Sequence, residues 1–296
     1  MKITAVVVTH NRFELLKACI ASLQSQHLPL SEIIVINNGS TDGTAEWLST
    51  QQLTVLSQEN IGASGGFFNG IKLAYEKGAD WIWVLDDDTI PEPTALSELM
   101  KPLQLAPTEK FGYLVSKAIW TDGEPHLMNI PDIKPLVNGI DSNKYAAQGF
   151  TLSYAASFVS LLVNRDAVTE LGYPIREFFI WGDDTEYTTR MTNAGWLGAY
   201  VPSSVVLHKT VNNYSADIYA AKPNEQWKHF YGIRNKLFCR RIWKGEFSFW
   251  SNVLKGFIVI PFRIIRKRKD NRFSFVWLQW KATAAAIGFK PTIQKP

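Results

Sequence analysis

Three consecutive carboxylates follow an apolar run of the sequence. Residues 79–85 are typical of a short buried strand, and Asp86, Asp87 and Asp88 come directly after it. The acids should therefore emerge together at the carboxyl end of a strand, which is where α/β proteins bind ligands.

Like charges this close repel one another unless a cation lies among them. Asp86 and Asp88 can offer the oxygen ligands that Mg²⁺ or Mn²⁺ prefers, and these metals commonly join a protein carboxylate to a substrate diphosphate. We therefore predict a divalent metal site, the alternative being a solvated loop that caps a helix.

A second acidic cluster lies at the predicted start of a helix. It consists of Asp183, Asp184 and Glu186. These acids could simply cap the helix, because negative charge is favourable at a helix N-terminus. Clustered carboxylates also raise one another's pKa, which is what a general base requires. Both interpretations stay open at this point.

One histidine offers a further metal ligand. A predicted strand, Val205–Leu207, delivers His208, and its imidazole suits Mn²⁺ better than Mg²⁺. A lone histidine is more often structural than ligating, so the sequence alone does not decide its role. The remaining histidines have no supporting context and are interpreted as structural: His10, His27, His126 and His229.

The elements that must position these residues alternate over the first 90 residues. The predicted strands are Ile3–Thr9, Glu32–Ile36, Leu53–Ser57 and Trp81–Leu85, and the predicted helices are Phe13–Ser25, Thr44–Thr50 and Gly65–Lys77. Further strand candidates are Phe111–Ile119 and Thr151–Val163. Alternation of this kind indicates a parallel sheet with helices on both faces. Turn signals at Asn38-Gly39-Ser40 and Asn60-Ile61-Gly62 should lie at the same edge as the acids.

Composition sets the limits of the interpretation. The chain has 296 residues, of which 46% are hydrophobic, so it is long enough for a large ordered core and is not disordered. Its two cysteines, Cys19 and Cys239, lie far apart, which suits a reducing cytosol. The apolar run at the N-terminus is too short for a signal peptide, and we interpret it as the first strand.

The C-terminal part differs in charge from the rest. Residues 220–296 hold 17 lysines and arginines against three acids, while residues 1–219 hold 14 against 24. Five of the eleven tryptophans also lie in this part. The most apolar stretch, residues 253–265, is interrupted by charges and a proline, and Arg266–Lys269 follow it. We interpret this stretch as a segment that lies in an anionic membrane surface, in preference to a spanning helix or a nucleic-acid site. The alternative is an amphipathic bundle that packs its aromatic residues inward and turns its lysines and arginines to water.

Taken together, the motifs resemble the inverting family 2 glycosyltransferases of the GT-A fold, which use nucleotide-diphosphate sugars. Seven pieces carry the resemblance in order over residues 1–240: Val6–Arg12, Ile34–Gly43, Asn60–Phe67, Asp86–Asp88, Trp181–Glu186, Leu207–Lys209 and Tyr231–Asn235. Each piece alone is weak, whereas the ordered set is specific. The resemblance implies an α/β fold with a mostly parallel central sheet flanked by helices. It also implies a catalytic domain over residues 1–221 and a basic, aromatic-rich helical extension over 222–296.

The resemblance also implies roles for individual residues. Those implied to bind the sugar nucleotide are Thr9, Asn11, Arg12, Asn38, Asn60, Gly62, Gly66, Asp86 and Asp87. Asp86, Asp88 and His208 would hold Mn²⁺ or Mg²⁺. Asp184 would be the general base of a single inverting displacement, with Asp183 and Glu186 positioning acceptor hydroxyls or supporting the loop. Trp181, Asp183 and Arg234 would contact the acceptor.

Within the family, the triple aspartate and the Trp-Gly-Asp-Asp-x-Glu form look most like bacterial galactofuranosyltransferases and rhamnosyltransferases of cell-envelope polysaccharides. UDP-galactofuranose is the preferred donor and dTDP-rhamnose the alternative. Many members carry an aspartate where this chain has Asn37-Asn38, which changes the hydrogen bonds offered to a nucleobase. The implied acceptor is a glycan on a polyprenyl diphosphate. The implied location is cytoplasmic, at the inner face of the cytoplasmic membrane, with homo-oligomerisation through the tail as a further option.

Other classes of protein fit the sequence less well. A phosphatase of the haloacid dehalogenase type also places Asp-x-Asp after a strand, but it would need Thr or Val where this chain has Ile90. A nucleotidyltransferase should begin with a glycine-rich phosphate loop, and residues 8–12 contain no glycine. A non-catalytic module that binds membrane or nucleic acid is the rival that the basic tail with its interleaved aromatics suggests.

Overall fold

The computed structural model describes residues 1–213 and 217–296, which form two compact units. The first unit comprises Met1–Arg176, Asp184–Tyr214 and Ile293–Pro296. The second comprises Glu177–Asp183 and Ser215–Thr292. The predicted domain boundary after residue 221 stays a prediction, because the two units are distinguished by compactness and the chain passes between them more than once.

A central sheet organises the first unit. Its strands in the described residues are β1 (Ile3–Thr9), β2 (Glu32–Asn38), β3 (Thr54–Gln58), β4 (Trp81–Asp86), β5 (Thr89–Pro91), β6 (Phe111–Ile119), β9 (Thr151–Ser153), β10 (Leu161–Asn164) and β11 (Leu197–His208). The order across the sheet is β3-β2-β1-β4-β10-β6-β11-β5, and β9 pairs with β11. β10, β5 and β9 run antiparallel to their neighbours, and the other pairings are parallel. The predicted mostly parallel sheet is confirmed. A separate hairpin joins β7 (Leu136–Val137) and β8 (Ile140–Asp141).

Helices cover the sheet. They are α1 (Phe13–Gln24), α2 (Thr44–Ser49), α3 (Gly62–Glu76), α4 (Ala95–Leu99), α5 (Lys101–Leu105), α6 (Arg165–Leu171) and α7 (Asp183–Asn193). β1 is buried along its whole length, as expected for a strand between two helical layers. Val6 and Val8 belong to one core cluster and Val7 to another, because successive side chains point to opposite faces of the sheet.

One strand prediction is wrong. Residues 151–163 were expected to form one β segment, but the structure divides them between β9 and β10. The reason is pairing: β9 pairs with β11, whereas β10 lies between β4 and β6. The chain must therefore change neighbours between the two strands, and Ser160 adopts a φ of 59° just before β10 begins.

Three helices form most of the second unit. They are α8 (Gln226–Phe257), α9 (Val259–Lys267) and α10 (Arg272–Gly288), which confirms the predicted C-terminal helices. α8 is interrupted at Gly245, which has a φ of 77°. Within this unit Phe249 and Val253 pack with Ala286, and Ile264 packs with Phe275. Among the described residues, no single helix is long and apolar enough to cross a membrane, although α8 and α9 taken as one bent pair meet that length and composition.

Candidate active site

The polar residues of the first unit meet where the parallel strands end. Val8 of β1 is in register with Asp86, the last residue of β4. Asp87 and Asp88 form the turn into β5, and β5 pairs with the end of β11, where Thr89 is in register with His208. The sheet therefore brings His208 to the acids although about 120 residues separate them in the sequence. This grouping at the strand ends is the one that the sequence predicts.

Asp86, Asp88 and His208 form a group that could hold a metal ion. One ligand atom from each lies within 4.8 Å of the others. The Nε2 atom of His208 is 3.1 Å from Oδ1 of Asp88, and both side chains are buried. Two carboxylates and one imidazole are a suitable donor set for a divalent cation such as Mn²⁺. The predicted ligand set is thus brought together in space.

The orientation of His208 is fixed by a residue that the sequence analysis missed. Asn129 donates from Nδ2 to Oγ of Ser157 at 2.9 Å, so its Oδ1 faces Nδ1 of His208 at 2.8 Å. Nδ1 must then carry a hydrogen and donate it, and Nε2 points to Asp88. This is the outer-shell arrangement that holds metal-ligating histidines in position. Nothing in the sequence around Asn129 signals this role.

Arg12 supplies the positive charge among the three acids. Its guanidinium is hydrogen-bonded to Asp88, and its Nε lies 3.9 Å from Oδ1 of Asp87. The arginine side chain is 45% exposed, whereas those of the two acids are almost completely buried. The structure therefore places Arg12, predicted to bind the nucleotide, against the acids, and leaves much of its side chain accessible.

Burial and mutual repulsion set the protonation of the acids. Burial, with the charge of Asp88, raises the pKa of Asp86 to about 6 and that of Asp87 to about 7. Burial opposes ionisation of Asp88 as well, but its hydrogen bond to His208 and the charges of His208 and Arg12 keep its pKa below the usual value. The cluster therefore gathers more negative charge than Arg12 can neutralise, which favours a bound cation.

The members of the second acidic cluster have different surroundings. Oδ1 of Asp184 accepts hydrogen bonds from the backbone N–H of Thr185 at 2.6 Å and from its hydroxyl at 3.3 Å. Burial raises the pKa of Asp184. The charge of Asp184 in turn raises the pKa of Asp86, so the two carboxylates interact electrostatically. Asp183 is buried and belongs to the second unit.

Glu186 is committed to an internal ion pair. Its two oxygens accept from Nε and Nη2 of Arg190 at 3.0 and 2.9 Å, and the side chain is fully buried. Arg190 also donates to the backbone carbonyls of Leu171 and Tyr173. Of the two roles that the sequence left open for Glu186, this geometry fits support of the loop and not contact with an acceptor hydroxyl.

The loop that carries Trp181 is held by the motif that contains Arg234. Nδ2 of Asn235 donates to the carbonyls of Phe178, Ile180 and Trp181 at 2.9, 3.1 and 2.8 Å. Arg234 donates to the carbonyls of Glu177 and Phe178 at 2.7 and 3.2 Å. Arg234 thus helps to hold this loop, and its predicted contact with the acceptor stays a prediction. The sequence analysis missed Asn235 as a functional residue, although it is the last residue of the Tyr231–Asn235 motif.

Trp181 is packed within the second unit. Its ring meets that of His229 edge-on, with ring centroids 5.0 Å apart. Gly232 lies against the ring, and an added Cβ there would come 2.9 Å from it. Trp181 adopts a φ of 63°, which is uncommon for a bulky residue and is maintained by these contacts. An acceptor contact of Trp181 stays a prediction.

The side chain of Asn38 is fully used in holding the loop that follows β3. Nδ2 donates to Oδ1 of Asn60 at 3.2 Å and to the carbonyl of Gly62 at 3.0 Å. Oδ1 accepts from Nε2 of Gln58 at 2.9 Å and from the backbone N–H of Ile61 at 3.2 Å. Both hydrogens and both acceptor positions of this amide are thus used internally, and its predicted contact with a nucleobase stays a prediction.

His10 and Asn11 lie just after β1 and Asn60 lies just after β3, and all three make hydrogen bonds within these loops. Nδ1 of His10 lies 2.9 Å from the carbonyl of Asn38, and its Nε2 lies 3.3 Å from Nδ2 of Asn60. Oδ1 of Asn11 accepts from the backbone N–H of Thr41 at 2.7 Å. These internal contacts agree with the structural role expected for His10, and donor binding by Asn11 and Asn60 stays a prediction.

The two glycines and Thr9 have clear places in the fold. Gly62 begins α3 with a φ of 80°, next to Asn60. Gly66 lies on the face of α3 that meets β1, where an added Cβ would come 2.5 Å from Cγ1 of Val8. Thr9 is buried at the end of β1. Close packing of α3 on the sheet is reason enough for a glycine at 66, and donor binding by these residues stays a prediction.

Comparison with known proteins identifies the family. The family model "Glycosyl transferase family 2" matches residues 4–162. The galactofuranosyltransferase GlfT1 of Mycolicibacterium smegmatis is 30% identical over 249 residues, which is 79% of this chain and 81% of that protein. The N-acetylglucosaminyl-diphospho-decaprenol L-rhamnosyltransferase of Mycobacterium tuberculosis is 24% identical over 72% of this chain and 77% of that one.

A solved structure supports the fold alone. A crystal structure of GalNAc-T7 with UDP, GalNAc and Mn²⁺ has a TM-score of 0.61 at 15% identity, and it covers 87% of this chain and 50% of that one. The predicted GT-A fold is confirmed by this likeness, by the sheet and by the family match. The chain belongs to glycosyl transferase family 2.

Proposed function

We propose that this glycosyltransferase transfers galactofuranose from UDP-galactofuranose to a lipid-linked glycan by a single inverting displacement. The observation that carries the proposal is the grouping of Asp86, Asp88 and His208 at the strand ends, with Asp184 in the same electrostatic field. The choice of sugar rests on the similarity to the galactofuranosyltransferase GlfT1.

The donor half of the reaction uses the first acidic cluster. Asp86, Asp88 and His208 would hold Mn²⁺ or Mg²⁺, and such a cation stabilises the negative charge that builds on a departing nucleoside diphosphate. The oxygen and imidazole donors favour Mn²⁺. Arg12, half exposed beside Asp88, can turn its guanidinium towards a diphosphate oxygen when a cation takes over the neutralisation of the acids.

The acceptor half of the reaction needs a base. Asp184 is suited to this role because burial raises its pKa, which makes its carboxylate a stronger base than an exposed aspartate. It takes the proton of the acceptor hydroxyl while that oxygen attacks the anomeric carbon from the face opposite the diphosphate. The bond to the diphosphate oxygen breaks in the same step, so the configuration inverts and no protein nucleophile is needed.

A lipid-linked acceptor is supported by one of the relatives. The rhamnosyltransferase that this chain resembles has a glycosyl-diphospho-decaprenol in its name. That similarity also makes dTDP-rhamnose the competing donor. A polyprenyl-diphosphate glycan is therefore the acceptor class that we propose, with the sugar left to the experiment.

The test is release of free nucleoside diphosphate from UDP-galactofuranose, dTDP-rhamnose, UDP-glucose and UDP-GlcNAc. Each donor is supplied with a lipid-linked glycan extract and with Mn²⁺, Mg²⁺ or EDTA. We expect turnover of UDP-galactofuranose that depends on the metal and falls by about 10³-fold or more in Asp88→Ala. The matched control is Asp80→Ala, an exposed acid just before the other end of β4, which should retain activity.

Three outcomes would contradict parts of the proposal. Preferred turnover of dTDP-rhamnose would replace the donor and leave the site intact. Full activity in EDTA, or in Asp88→Ala, would remove the metal from the mechanism. Retention of configuration in the product, read by NMR of the new linkage, would rule out the single displacement.

A further inference from the structure

An exposed apolar stripe runs along two helices of the second unit. Its members follow one another at intervals of three or four residues along α8 and α9, which meet at a bend of 40°: Phe247, Trp250, Leu254, Ile258, Phe262 and Ile265. Phe247 is 90% exposed and Phe262 67%. Large side chains of soluble proteins are rarely left uncovered in such a continuous row.

The core of the second unit does not need this stripe. The inward positions of the same helices are already filled by Phe249, Val253 and Ile264, which are buried and pack with residues of α10. An added Cβ on Gly256 would come 2.7 Å from Oγ1 of Thr283, which shows how closely α8 and α10 approach. The exposed row is thus a second apolar face, separate from the one that holds the helices together.

α10 adds aromatic rings next to the stripe. Phe273, Trp277 and Trp280 are exposed along one side of this helix. Nε1 of Trp280 donates to the carbonyl of Phe257 at 3.0 Å, which places this indole at the junction of α8 and α9. Tryptophan is favoured where an apolar phase meets water, because its ring is apolar and its N–H is polar.

Cations border the stripe. From residue 253 to residue 269 the sequence contains no acid, and the exposed basic residues are Lys255, Arg263, Arg266, Lys267 and Lys269. At 100° per residue, Arg266 lies about 40° and Arg263 about 100° around α9 from Phe262, beside the apolar row. The remaining base, Arg268, is buried on the carbonyls of Ile218 and Ala221, so it anchors the helix and does not face outward.

We propose that this face of α8, α9 and α10 binds the surface of an anionic bilayer, with the stripe inserted at the boundary between headgroups and acyl chains. A row of apolar side chains bordered by cations is the arrangement that anionic lipid both buries and neutralises. A second copy of the chain would cover the apolar row but bring the two basic borders together without a counter-charge. The inference does not depend on the donor sugar.

The test measures binding of the full-length chain to vesicles by flotation, using phosphatidylcholine alone or with phosphatidylglycerol. We expect binding that requires the anionic lipid, and quenching of tryptophan fluorescence by brominated acyl chains. Ile258→Ser/Phe262→Ser should weaken binding by roughly tenfold or more through the lost apolar contact. Ile130→Ser/Ile133→Ser, two exposed apolar positions of the first unit, is the matched control and should bind like the native chain.

The charge contribution is tested separately. Arg266→Gln/Lys267→Gln should lose about fivefold in affinity for each charge on anionic vesicles. All variants are compared by circular dichroism and melting temperature, so that a folding defect is not mistaken for a binding defect. Because vesicle binding is measured without substrate, its failure would leave the proposed reaction untouched.

Several results would overturn the proposal. Equal vesicle binding by the native chain and by Ile258→Ser/Phe262→Ser would show that the stripe is not the contact. Resistance to extraction at alkaline pH would indicate a spanning segment. Conversion of a dimer to a monomer by the same double substitution, with no effect on vesicle binding, would assign the face to a second copy of this chain.

Discussion

The two acidic clusters, at residues 86–88 and 183–186, are similar in sequence but differ in the structural elements and counter-charges around them. The cluster at residues 86–88 follows a strand, and its charges are opposed by Arg12 and His208, both from distant parts of the chain. The cluster at residues 183–186 begins α7, where the acids interact with their own helix through Thr185 and Arg190.

The difference shows how position decides what a run of acids can do. At the strand ends, the three carboxylates are held close together with too few positive charges to balance them, so the cluster favours binding of a cation. At the start of a helix, Asp184 and Glu186 each accept hydrogen bonds from their own helix, so one carboxylate can remain available as a base while another becomes structural. Four substitutions test this contrast, and they follow in order of decreasing expected effect.

Asp184→Asn should reduce turnover by about 10²–10⁴-fold, because the amide cannot accept the proton of the acceptor hydroxyl. Binding of Mn²⁺, measured by calorimetry, should weaken far less than turnover, because Asp184 acts on the ligand Asp86 only through its charge. In the native chain the raised pKa of Asp184 should place the acidic limb of the pH–rate profile above the range of an ordinary aspartate. Retained turnover in this variant would show that the base lies elsewhere.

Glu186→Gln should destabilise the fold by about 3–5 kcal/mol, because it leaves Arg190 buried without its counter-charge. Urea unfolding followed by circular dichroism measures the effect. Glu14→Gln, an exposed acid whose ion pair with Lys17 lies on the surface, is the control and should change stability by less than about 1 kcal/mol. Lost activity with native stability would instead place Glu186 in contact with the substrate.

Asp87→Asn should stabilise the metal-free chain increasingly as the pH rises. The pKa of Asp87 is raised to about 7 by burial, so the native chain loses stability between the usual value for an aspartate and about pH 7, as the buried group is forced to ionise. Asparagine does not ionise, and its advantage should grow by about 2.6 kcal/mol from pH 5 to pH 8. Unfolding in EDTA at both pH values measures it, and an advantage independent of pH would contradict the assignment.

Asn129→Leu should weaken Mn²⁺ binding by about 10–100-fold, because His208 loses the acceptor that fixes its tautomer. Ser157→Ala removes only the hydrogen bond to Nδ2 of Asn129 and should have a smaller effect. Mn²⁺ titration followed by electron paramagnetic resonance gives the affinity directly. Unchanged affinity in Asn129→Leu would mean that His208 is not a ligand.

Most of the strand ends could be predicted from the sequence, because βα alternation places them at one edge. Asp86 and Asp88 lie there for that reason, whereas the pairing of β11 with β5 brings His208 to them. Asn129 could not be predicted, since it lies in an irregular segment and acts through one hydrogen bond to a residue 79 positions away. Arg234 and Asn38 are predicted to bind ligands because polar residues in shared motifs suggest binding, and the sequence gives no sign of the hydrogen bonds that they make to nearby loops.

The clamp made by Asn235 has a consequence for the order of folding. One amide group holds three carbonyls of the 178–181 loop, and the nearest of them in sequence, that of Trp181, precedes it by 54 residues. During synthesis those carbonyls lack this amide as a partner until α8 emerges and forms. The loop therefore acquires its shape late, and a chain released before residue 235 should have a folded sheet whose 178–181 segment is cleaved by protease.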